Sequence, residues 1–551
     1  MSQSGFAPSS RETHDVINQP PPFTDVNLYT SDRTLRSAVE REGGAWSEGA
    51  LETYGAVMGS ARIYELGRQA NRHSPELRTH DRFGHRIDEI DYHPAWHEVM
   101  RIQMEHEVHN LPWRHRRPGA HVARLAKHYI LAQVEAGSAC PITMTFASLP
   151  ALEHEPRVAS EWKPRLLGTS YDPRPVPAGD KSAVLVGMAM TEKQGGSDVR
   201  ANTTKAIPLG DGDYELLGHK WFCSAPMCDA FLTLAHAQKG LTCFLVPRWR
   251  PDGTRNPFYI QRLKDKVGNR SNASGEIEYA GTWARRVGEE GRGVRTIIEM
   301  VHHTRLDCIS GSAGIMRQAL AQALHHVGHR SAFGRRLIEQ PLMRNVAADL
   351  ALEVEGAVAV LFRLARAYDS SAESETERAF ARIGTAVAKY WVCKRAPGMV
   401  YEAMECLGGN GYVEESILPR LYREAPVNAI WEGSGNVICL DVLRALAKEP
   451  GSLDALLGEI RAAKDPRLEA CAERITKQLS SGDAVELSAR RIVGEMARGL
   501  QGSLLVRTAP AAVAEAFLAA RCDGDAGPVF GELPSTTDFL TLLERATPAL
   551  G

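Results

Sequence analysis

Long apolar runs are missing from this sequence, and so is a strong excess of charge of either sign. No stretch reaches the 18 or so consecutive apolar residues of a membrane-spanning helix. The N-terminal residues contain no apolar core of a secretory signal peptide, so none is expected. The formal net charge of −2 and the pI of about 6.8 disfavour a dedicated nucleic-acid or membrane-surface protein.

Paired cysteines and metal-binding motifs are also missing. The ten cysteines are scattered, and none forms a C-x-x-C pair, which disfavours a disulfide framework or a zinc site. The histidines are frequent but form no H-E-x-x-H motif, so no metal is predicted. These patterns predict free, buried thiols in the reducing cytoplasm.

Five segments differ in their residue patterns, which agrees with the three or four domains expected for 551 residues. The first segment is a polar arm. Three of the others have apolar residues spaced three or four apart, which predicts helices. The remaining segment has short alternating runs and glycine-rich turns, which predict a small antiparallel β sheet or barrel. The predicted segments are the arm 1–34, the helical domain 35–182, the β domain 183–293, the helical bundle 294–447 and an additional helical domain 448–551.

The stretch Ile430–Leu440, IWEGSGNVICL, is the most suggestive of chemistry. Glu432 is its one acidic residue, and the following pattern predicts a helix capped by Ser434 or Asn436. Desolvation by apolar neighbours raises the pKa of a carboxylate at such a place, and a helix N-terminus lowers it. Glu432 is therefore a candidate general base. The alternative is an acid that only complements the helix dipole.

Two further motifs contain glycines that permit a close backbone approach to a ligand. Met190–Val199 reads MTEKQGGSDV, and Glu405–Glu424 reads ECLGGNGYVEESILPRLYRE. Together with the domain order they resemble the two signature patterns of the acyl-CoA dehydrogenase family, over roughly residues 35–447. The resemblance implies a mainly α fold with a central β domain: an α domain, a β-barrel domain and a four-helix-bundle domain, here followed by the extra C-terminal helical domain.

The resemblance further implies FAD as the cofactor, bound between the β domain and the C-terminal helices, and an acyl-CoA substrate. By this likeness Thr191 bonds the pyrimidine edge of the flavin and Ser224 faces its N5. The implied cofactor-binding residues are Met190, Thr191, Glu192, Lys193, Gln194, Gly195, Gly196, Ser197, Asp198, Val199, Ser224, Ala225, Pro226, Arg330, Phe333, Gly408, Gly409, Ile430, Trp431, Gly433, Ser434, Gly435 and Asn436. Lys193, Ser197 and Asn436 are also implied to contact substrate.

Arg330-Ser331-Ala332-Phe333-Gly334 resembles the family's R-x-x-F-G motif, which reaches the FAD pyrophosphate of a neighbouring subunit. The resemblance therefore implies an obligate oligomer, a homotetramer built as a dimer of dimers. The family has a glutamine eleven residues after the arginine, but this chain has Pro341 there and Gln340 one place earlier.

Glu432 matches the family's general base, which removes the α-proton of a thioester while a hydride leaves the β-carbon for the flavin. One branch of the family, including isovaleryl-CoA dehydrogenases, places its base before an arginine on another helix, where this chain has Thr304. Glu432 is thus the one base candidate. The expected function is α,β-dehydrogenation of an acyl-CoA, with a short branched one as a candidate, to an unknown electron acceptor.

Two other functions remain open. One branch of the family serves the bacterial alkylation response and is linked to double-stranded DNA, with an arginine that Arg444 matches. Residues 446–551 contain 12 Lys and Arg against 15 Asp and Glu, a formal charge of −3, which opposes a DNA-binding module. An acyl-CoA or nitroalkane oxidase is the other alternative.

Overall fold

The computed structural model describes residues 13–449, 451–482, 484–524 and 527–549. Residues 1–12 of the predicted arm, and residues 450, 483, 525–526 and 550–551 of the predicted C-terminal domain, lie outside them. Within the described ranges, no helix is both long and apolar enough to cross a bilayer.

The described part of the arm is extended and is fastened to the rest of the protein. Phe23, Leu28 and Tyr29 are buried. The side chain of Asn18 donates a hydrogen bond to the Ser331 carbonyl oxygen at 2.9 Å. The arm thus contributes apolar side chains to the core instead of running free in solvent.

Helices dominate the N-terminal third. They are α1 Arg33–Arg41, α2 Glu48–Met58, α3 Ala61–Arg72, α4 Pro94–Glu105, α5 Leu111–Arg114, α6 Ala120–Val134, α7 Ala139–Leu152 and α8 Pro156–Leu166. Asp32 caps α1 through the Leu35 amide at 3.0 Å, and α4 and α8 begin with proline, which suits a first helical turn. Every residue of α6 is buried, because α2, α9 and α10 pack around it.

This region also contains a pair of strands, which the prediction of a helical domain did not include. Strands β1 Glu76–His80 and β2 Arg86–Asp91 form an antiparallel ribbon. Both strands are short and rich in charged residues, so they lack the apolar alternation by which strands are recognised. Arg78 of β1 forms ion pairs with Glu89 and Asp91 of β2, which favours this pairing.

Seven strands form the central sheet: β3 Val186–Ala189, β4 Lys205–Gly210, β5 Asp213–Ser224, β6 Ala230–Ala237, β7 Gly240–Pro247, β8 Phe258–Leu263 and β9 Ser274–Val287. Antiparallel pairs join β4 to β5, β5 to β9, β9 to β7 and β7 to β6. One parallel pair, Lys205 with His236, joins β6 back to β4. The sheet therefore closes into a five-stranded barrel, to which β3 and β8 are added at β6 and β9.

A buried ion pair lies where the loop after β3 meets the barrel. Lys220 of β5 donates to Glu192 Oε1 at 2.8 Å and to the Leu234 carbonyl oxygen at 2.8 Å. Burial by itself would raise the pKa of Glu192, but Lys220 and hydrogen bonds from Thr203 and Thr204 lower it below its ordinary value. The charged pair therefore fixes the start of the Met190–Val199 segment.

Long helices follow the barrel. They are α9 Gly293–His329, α10 Pro341–Ser370, α11 Glu375–Glu405, the short α12 Gly409–Tyr412 and α13 Leu418–Glu424, and α14 Gly435–Lys448. A two-residue hairpin, β10 Ser331–Ala332 with β11 Arg335–Arg336, joins α9 to α10. The central α9 packs on α6, α7, α10 and α11 and also touches β7, so it links the N-terminal helices, the bundle and the barrel.

The last segment adds α15 Gly451–Arg461, α16 Pro466–Leu479, α17 Ala484–Thr508, α18 Ala511–Arg521 and α19 Phe539–Ala546. Helix α17 packs on α10, α11 and α14, and its apolar side chains belong to the same continuous core as the bundle. Arg363 of α10 donates to Glu459 of α15 at 2.9 Å. The mainly α fold with a central β domain and extra C-terminal helices is confirmed.

The Glu192–Lys220 pair generates a stability prediction. Lys220→Met should lower the free energy of unfolding by about 3–5 kcal/mol, because it leaves a buried carboxylate without its cation. Arg157→Gln is the control: it removes an exposed pair with Asp211 on the barrel surface and should leave the free energy of unfolding almost unchanged. Denaturant unfolding measures both. Equal losses would show that burial of the first pair is irrelevant to stability.

Candidate active site at the junction of barrel and bundle

The loop between α13 and α14 places Glu432 in a left-handed backbone conformation. Its φ is 58°, and Gly433 follows with a φ of 110°. A left-handed glutamate costs free energy of order 1 kcal/mol or more, so the surrounding structure must impose it. Hydrogen bonds to the carbonyl groups of Trp431, Glu432 and Gly433 impose this conformation.

Two buried cations bind those carbonyls. Lys389 of α11 donates to the carbonyl oxygens of Trp431, at 2.9 Å, and of Gly433. Arg305 of α9 donates through Nε to the carbonyl oxygen of Glu432 at 2.9 Å. Three consecutive carbonyl groups are therefore held by charged donors, which are stronger than neutral ones. This fixes the turn that sets the direction of the Glu432 side chain.

Arg305 is itself held by Asp441 of α14. Its Nη1 lies 2.7 Å from Asp441 Oδ2, and Arg382 of α11 lies 3.0 Å from the other carboxylate oxygen. Asp441 thus ties α9, α11 and α14 together beneath the loop. Arg444, one turn further on α14, has a side chain 61% exposed and lies 3.7 Å from Asp441.

The Glu432 carboxylate meets Thr304 of α9, the position at which one branch of the family has its base. The Thr304 hydroxyl lies 2.8 Å from Glu432 Oε2 and 3.0 Å from the Val301 carbonyl oxygen. The hydroxyl has one proton, and it donates this proton to the ionised carboxylate in preference to the carbonyl oxygen, because charge-assisted hydrogen bonds are stronger. Burial raises the pKa of Glu432 above its ordinary value, although Thr304, Arg305 and Lys389 lower it in part. The arrangement suits a general base.

Cys140, at the start of α7, has a buried thiol that groups of both the barrel and the bundle influence. Burial raises the pKa of its thiol to about 12; Lys266, Ser224 and Asn272 lower it in part, and the Glu432 charge raises it further. Ser224 at the end of β5 and Glu432 of the bundle thus both act on the pKa of this one thiol. The placement of both residues at the reacting end of a flavin stays a prediction from the resemblance.

The segment Met190–Val199 forms a tight turn beside β5. The Trp221 amide donates to the Thr191 carbonyl oxygen at 2.8 Å, and Glu192 and Gly195 exchange backbone bonds of 3.2 and 3.0 Å. Gly196 lies so close to Thr191 that a Cβ would be 2.3 Å from its hydroxyl oxygen. Lys193, Gln194, Gly195, Ser197 and Asp198 are exposed, so the turn presents an open polar edge. Such an edge fits the rim of a planar, hydrogen-bonding cofactor.

Some predicted residues can contact a cofactor only through their backbone. The Glu192 carboxylate is taken up by Lys220, Thr203 and Thr204, so it faces the interior and not a ligand. Ala225 and Pro226 are buried, and Ala225 has a φ of 49° because the chain turns sharply there. At these three positions any contact with a cofactor is therefore expected from the backbone, and their cofactor-binding role stays a prediction.

The start of α14 is held by the C-terminal segment. Gly435 begins the helix and Ser434 occupies the N-cap position, but its side chain makes no capping hydrogen bond. Asn436, the other predicted cap, instead accepts a hydrogen bond from Arg490 Nε of α17 at 2.7 Å. The extra helices thus touch a residue predicted to bind substrate and cofactor. Ile430 is 64% exposed on the same loop.

Four predicted cofactor residues lie apart from this cluster. Among the described residues no hydrogen bond or ion pair joins Arg330, Phe333, Gly408 or Gly409 to the Glu432 loop. Arg330 donates to the Asn18 carbonyl oxygen at 2.7 Å, and Phe333 is 97% exposed at the hairpin tip. Gln340 donates to the Ala332 carbonyl oxygen at 3.2 Å, so it supports that hairpin.

The described ranges contain no cluster of metal-binding side chains and no disulfide bond. No group of three or more His, Cys, Asp or Glu side chains there is placed to hold a metal ion. All ten cysteines are free thiols, nine of them buried and Cys522 partly exposed.

Three family profiles match consecutive parts of the chain. The N-terminal domain of adaptive response protein AidB matches residues 18–173, the acyl-CoA dehydrogenase middle domain matches 187–282 and the acyl-CoA dehydrogenase C-terminal domain matches 291–447. AidB of Escherichia coli K12 is 52% identical over 447 residues, covering 81% of this chain and 82% of the relative.

The chain belongs to the acyl-CoA dehydrogenase family. Acyl-CoA dehydrogenase family member 11 of Caenorhabditis elegans is 31% identical over 549 residues, covering 91% of this chain and 85% of the relative. The structure of C. elegans ACDH-11 in complex with C11-CoA has a TM-score of 0.85 and 28% identity, covering 94% of this chain and 95% of the other. The predicted family and fold are confirmed, and with them an oxidoreductase class.

The cofactor prediction agrees with the acyl-CoA dehydrogenase family, whose members bind FAD. A structure of an acyl-CoA dehydrogenase complexed with FAD from Bacillus anthracis shares the fold, with a TM-score of 0.60 and 17% identity, covering 82% of this chain and 81% of the other. The open polar edge of residues 190–199 fits such a group.

Proposed function

We propose that this member of the acyl-CoA dehydrogenase family binds FAD and dehydrogenates an acyl-CoA thioester between its α- and β-carbons. The supporting observation is the buried Glu432 carboxylate, oriented by Thr304 and held on a loop that Arg305 and Lys389 fix. FAD, when bound, accepts the hydride that leaves the β-carbon. The turn Thr191–Asp198 and Ser224 are the residues that would hold its ring system.

In this proposal Glu432 and the side chains around it control the transfer of the substrate's α-proton. Glu432 takes the α-proton, and partial desolvation makes the ionised carboxylate a stronger base than it is in water. Arg305 and Lys389 keep the carbonyl groups of the loop fixed, so the carboxylate does not have to find its position during the reaction. Thr304 stabilises the ionised form and orients the oxygen that it contacts.

Glu432→Gln tests the base directly. The amide keeps the size of the side chain but does not accept a proton from carbon, so FAD should stay bound while acyl-CoA-driven flavin reduction slows by about 10²–10⁴-fold. Anaerobic mixing with acyl-CoAs, followed by flavin absorbance, measures this rate. Equal bleaching in the variant and the wild type would remove Glu432 from the mechanism.

Thr304→Val tests how the base is tuned. Flavin reduction should rise with pH through the raised pKa of Glu432, because only the ionised form accepts a proton. Removing a hydrogen bond that favours that form raises the pKa, so the acid limb should move up by about half to one pH unit. Thr304→Ser keeps the hydroxyl and should keep the limb in place. An unmoved limb in both variants would contradict the contact.

The substrate is proposed as a class only. The C. elegans neighbour was solved with C11-CoA, which supports an acyl-CoA ligand and favours a straight chain of that length as one member of the test panel. Isovaleryl-CoA represents the short branched substrates suggested by the sequence. The rate of flavin bleaching by each thioester ranks them, and release of peroxide in air would identify an oxidase instead.

The active assembly is proposed as a homotetramer in the cytoplasm. Phe333 is 97% exposed at the hairpin that carries Arg330, and a phenylalanine so exposed is suited to pack against another chain. Arg330 lies on the same hairpin and supplies a cation for a phosphate of a neighbouring cofactor. These features support subunits that complete one another's sites.

DNA binding is the second candidate function. It is favoured by the likeness to adaptive response protein AidB and by the exposed guanidinium of Arg444. If it is correct, the protein binds a short DNA duplex with an affinity that falls steeply with salt, and Arg444→Gln weakens that binding uniformly across sequences. Salt-independent binding, or binding equal in the variant, argues against it.

A further inference from the structure

A cleft away from Glu432 lies where α11 meets the C-terminal helices α16, α17 and α18. Its volume is about 550 Å³. Five arginines line it, and we call it the arginine cleft. They are Arg395 of α11, Arg474 of α16, Arg491 and Arg498 of α17 and Arg521 at the end of α18.

Helical spacing builds two walls of the arginine cleft. Arg491 and Arg498 are seven residues apart on α17, so they lie on one face, as do Trp391 and Arg395 on α11. Gly494 lies between the two α17 arginines, and a Cβ there would be 3.2 Å from Trp391 Cζ3. The glycine lets the indole lie against α17. Arg498 in turn lies over the indole ring, 5.2 Å from its centroid.

Acidic groups pair with some of the arginines in the arginine cleft but not with all of them. Asp523 also lines the cleft, and its carboxylate lies 3.6 Å from Arg467, which is outside the cleft. Arg474 is paired with Glu495 at 2.6 Å, Arg395 with Glu353 at 2.8 Å, and Arg521 with Asp349. Arg491 and Arg498 form no ion pair or side-chain hydrogen bond within the described ranges. The Nε of Arg395 is buried and has no hydrogen-bond partner there.

A concave surface with spare guanidinium groups favours an anion, because buried or half-buried cations gain most from a paired charge. Guanidinium groups match phosphate oxygens in pairs, which makes phosphate the best-fitting anion. The volume is that of a site for a small molecule. Residues 446–551 as a whole carry a charge of −3, so the positive charge is local and does not form a track for a polyanion.

We propose that the arginine cleft binds a small phosphorylated compound, with Arg491 and Arg498 as its principal contacts and Arg395 Nε as a further donor. The cleft is separate from the Glu432 loop, since none of the five arginines contacts that loop in the described ranges. Arg490, the neighbour of Arg491 on α17, does bind Asn436, so both sites share one helix. This proposal stands whether or not the protein dehydrogenates acyl-CoAs.

Calorimetric titration of FAD-saturated full-length protein with pyrophosphate tests the proposal. Bound FAD keeps the cofactor site from taking up the probe. The expected result is saturable binding of one pyrophosphate per chain, weakened about tenfold or more in Arg491→Gln and in Arg498→Gln, because each removes charge-assisted hydrogen bonds. Lys477→Gln is the matched control: it removes an exposed cation of α16 that does not line the cleft, and its affinity should equal that of wild type.

The remaining outcomes overturn the proposal. Absence of saturable binding does so, and so does binding that is equal in all variants, which identifies an adventitious ion only. A short DNA duplex that competes with pyrophosphate and depends on the same arginines would make the cleft part of an extended nucleic-acid surface. Melting temperatures confirm that each variant is folded; should Arg498→Gln fail to fold, the exposed Arg491→Gln decides alone.

Discussion

Two buried cations, Lys389 and Arg305, determine the shape of the loop that carries Glu432. Their bonds to the carbonyl oxygens of Trp431, Glu432 and Gly433 hold a glutamate in a backbone conformation that glycine normally occupies. The strain is balanced by charged donors in a region of low dielectric, where such bonds are strong. The carboxylate is consequently positioned before any ligand arrives, and the rest of the site is arranged around it.

The C-terminal helices extend this support instead of forming a detached appendage. Asp441 connects Arg305 to Arg382, and Arg490 of α17 binds Asn436 at the start of α14. A helix outside the parts matched by the acyl-CoA dehydrogenase profiles therefore contacts a residue within the C-terminal domain profile. This gives the extra segment a structural role at the candidate active site, whether or not it also binds DNA.

The parts of the candidate site that lie in continuous motifs could be proposed from the sequence. Glu432, the turn Thr191–Asp198 and the β domain follow from local patterns. The sequence did not predict the roles of Lys389, Cys140 and Arg490, because no motif surrounds them. Lys389 is 43 residues from Glu432 along the chain, and only the packing of α11 on α14 brings the two together. Strands β1 and β2 were not predicted, because ion pairs between charged side chains favour their pairing and their sequences lack apolar alternation.

The central claim is that Glu432 breaks the α-carbon–hydrogen bond of a thioester in the step that reduces the flavin. Anaerobic single-turnover reduction of the bound flavin, with an acyl-CoA carrying either hydrogen or deuterium at its α-carbon, measures that bond directly. The account predicts that deuterium slows reduction and that the isotope effect persists across the pH range in which Glu432 titrates. Equal rates for the two thioesters, or no reduction by any acyl-CoA in the panel, would contradict it.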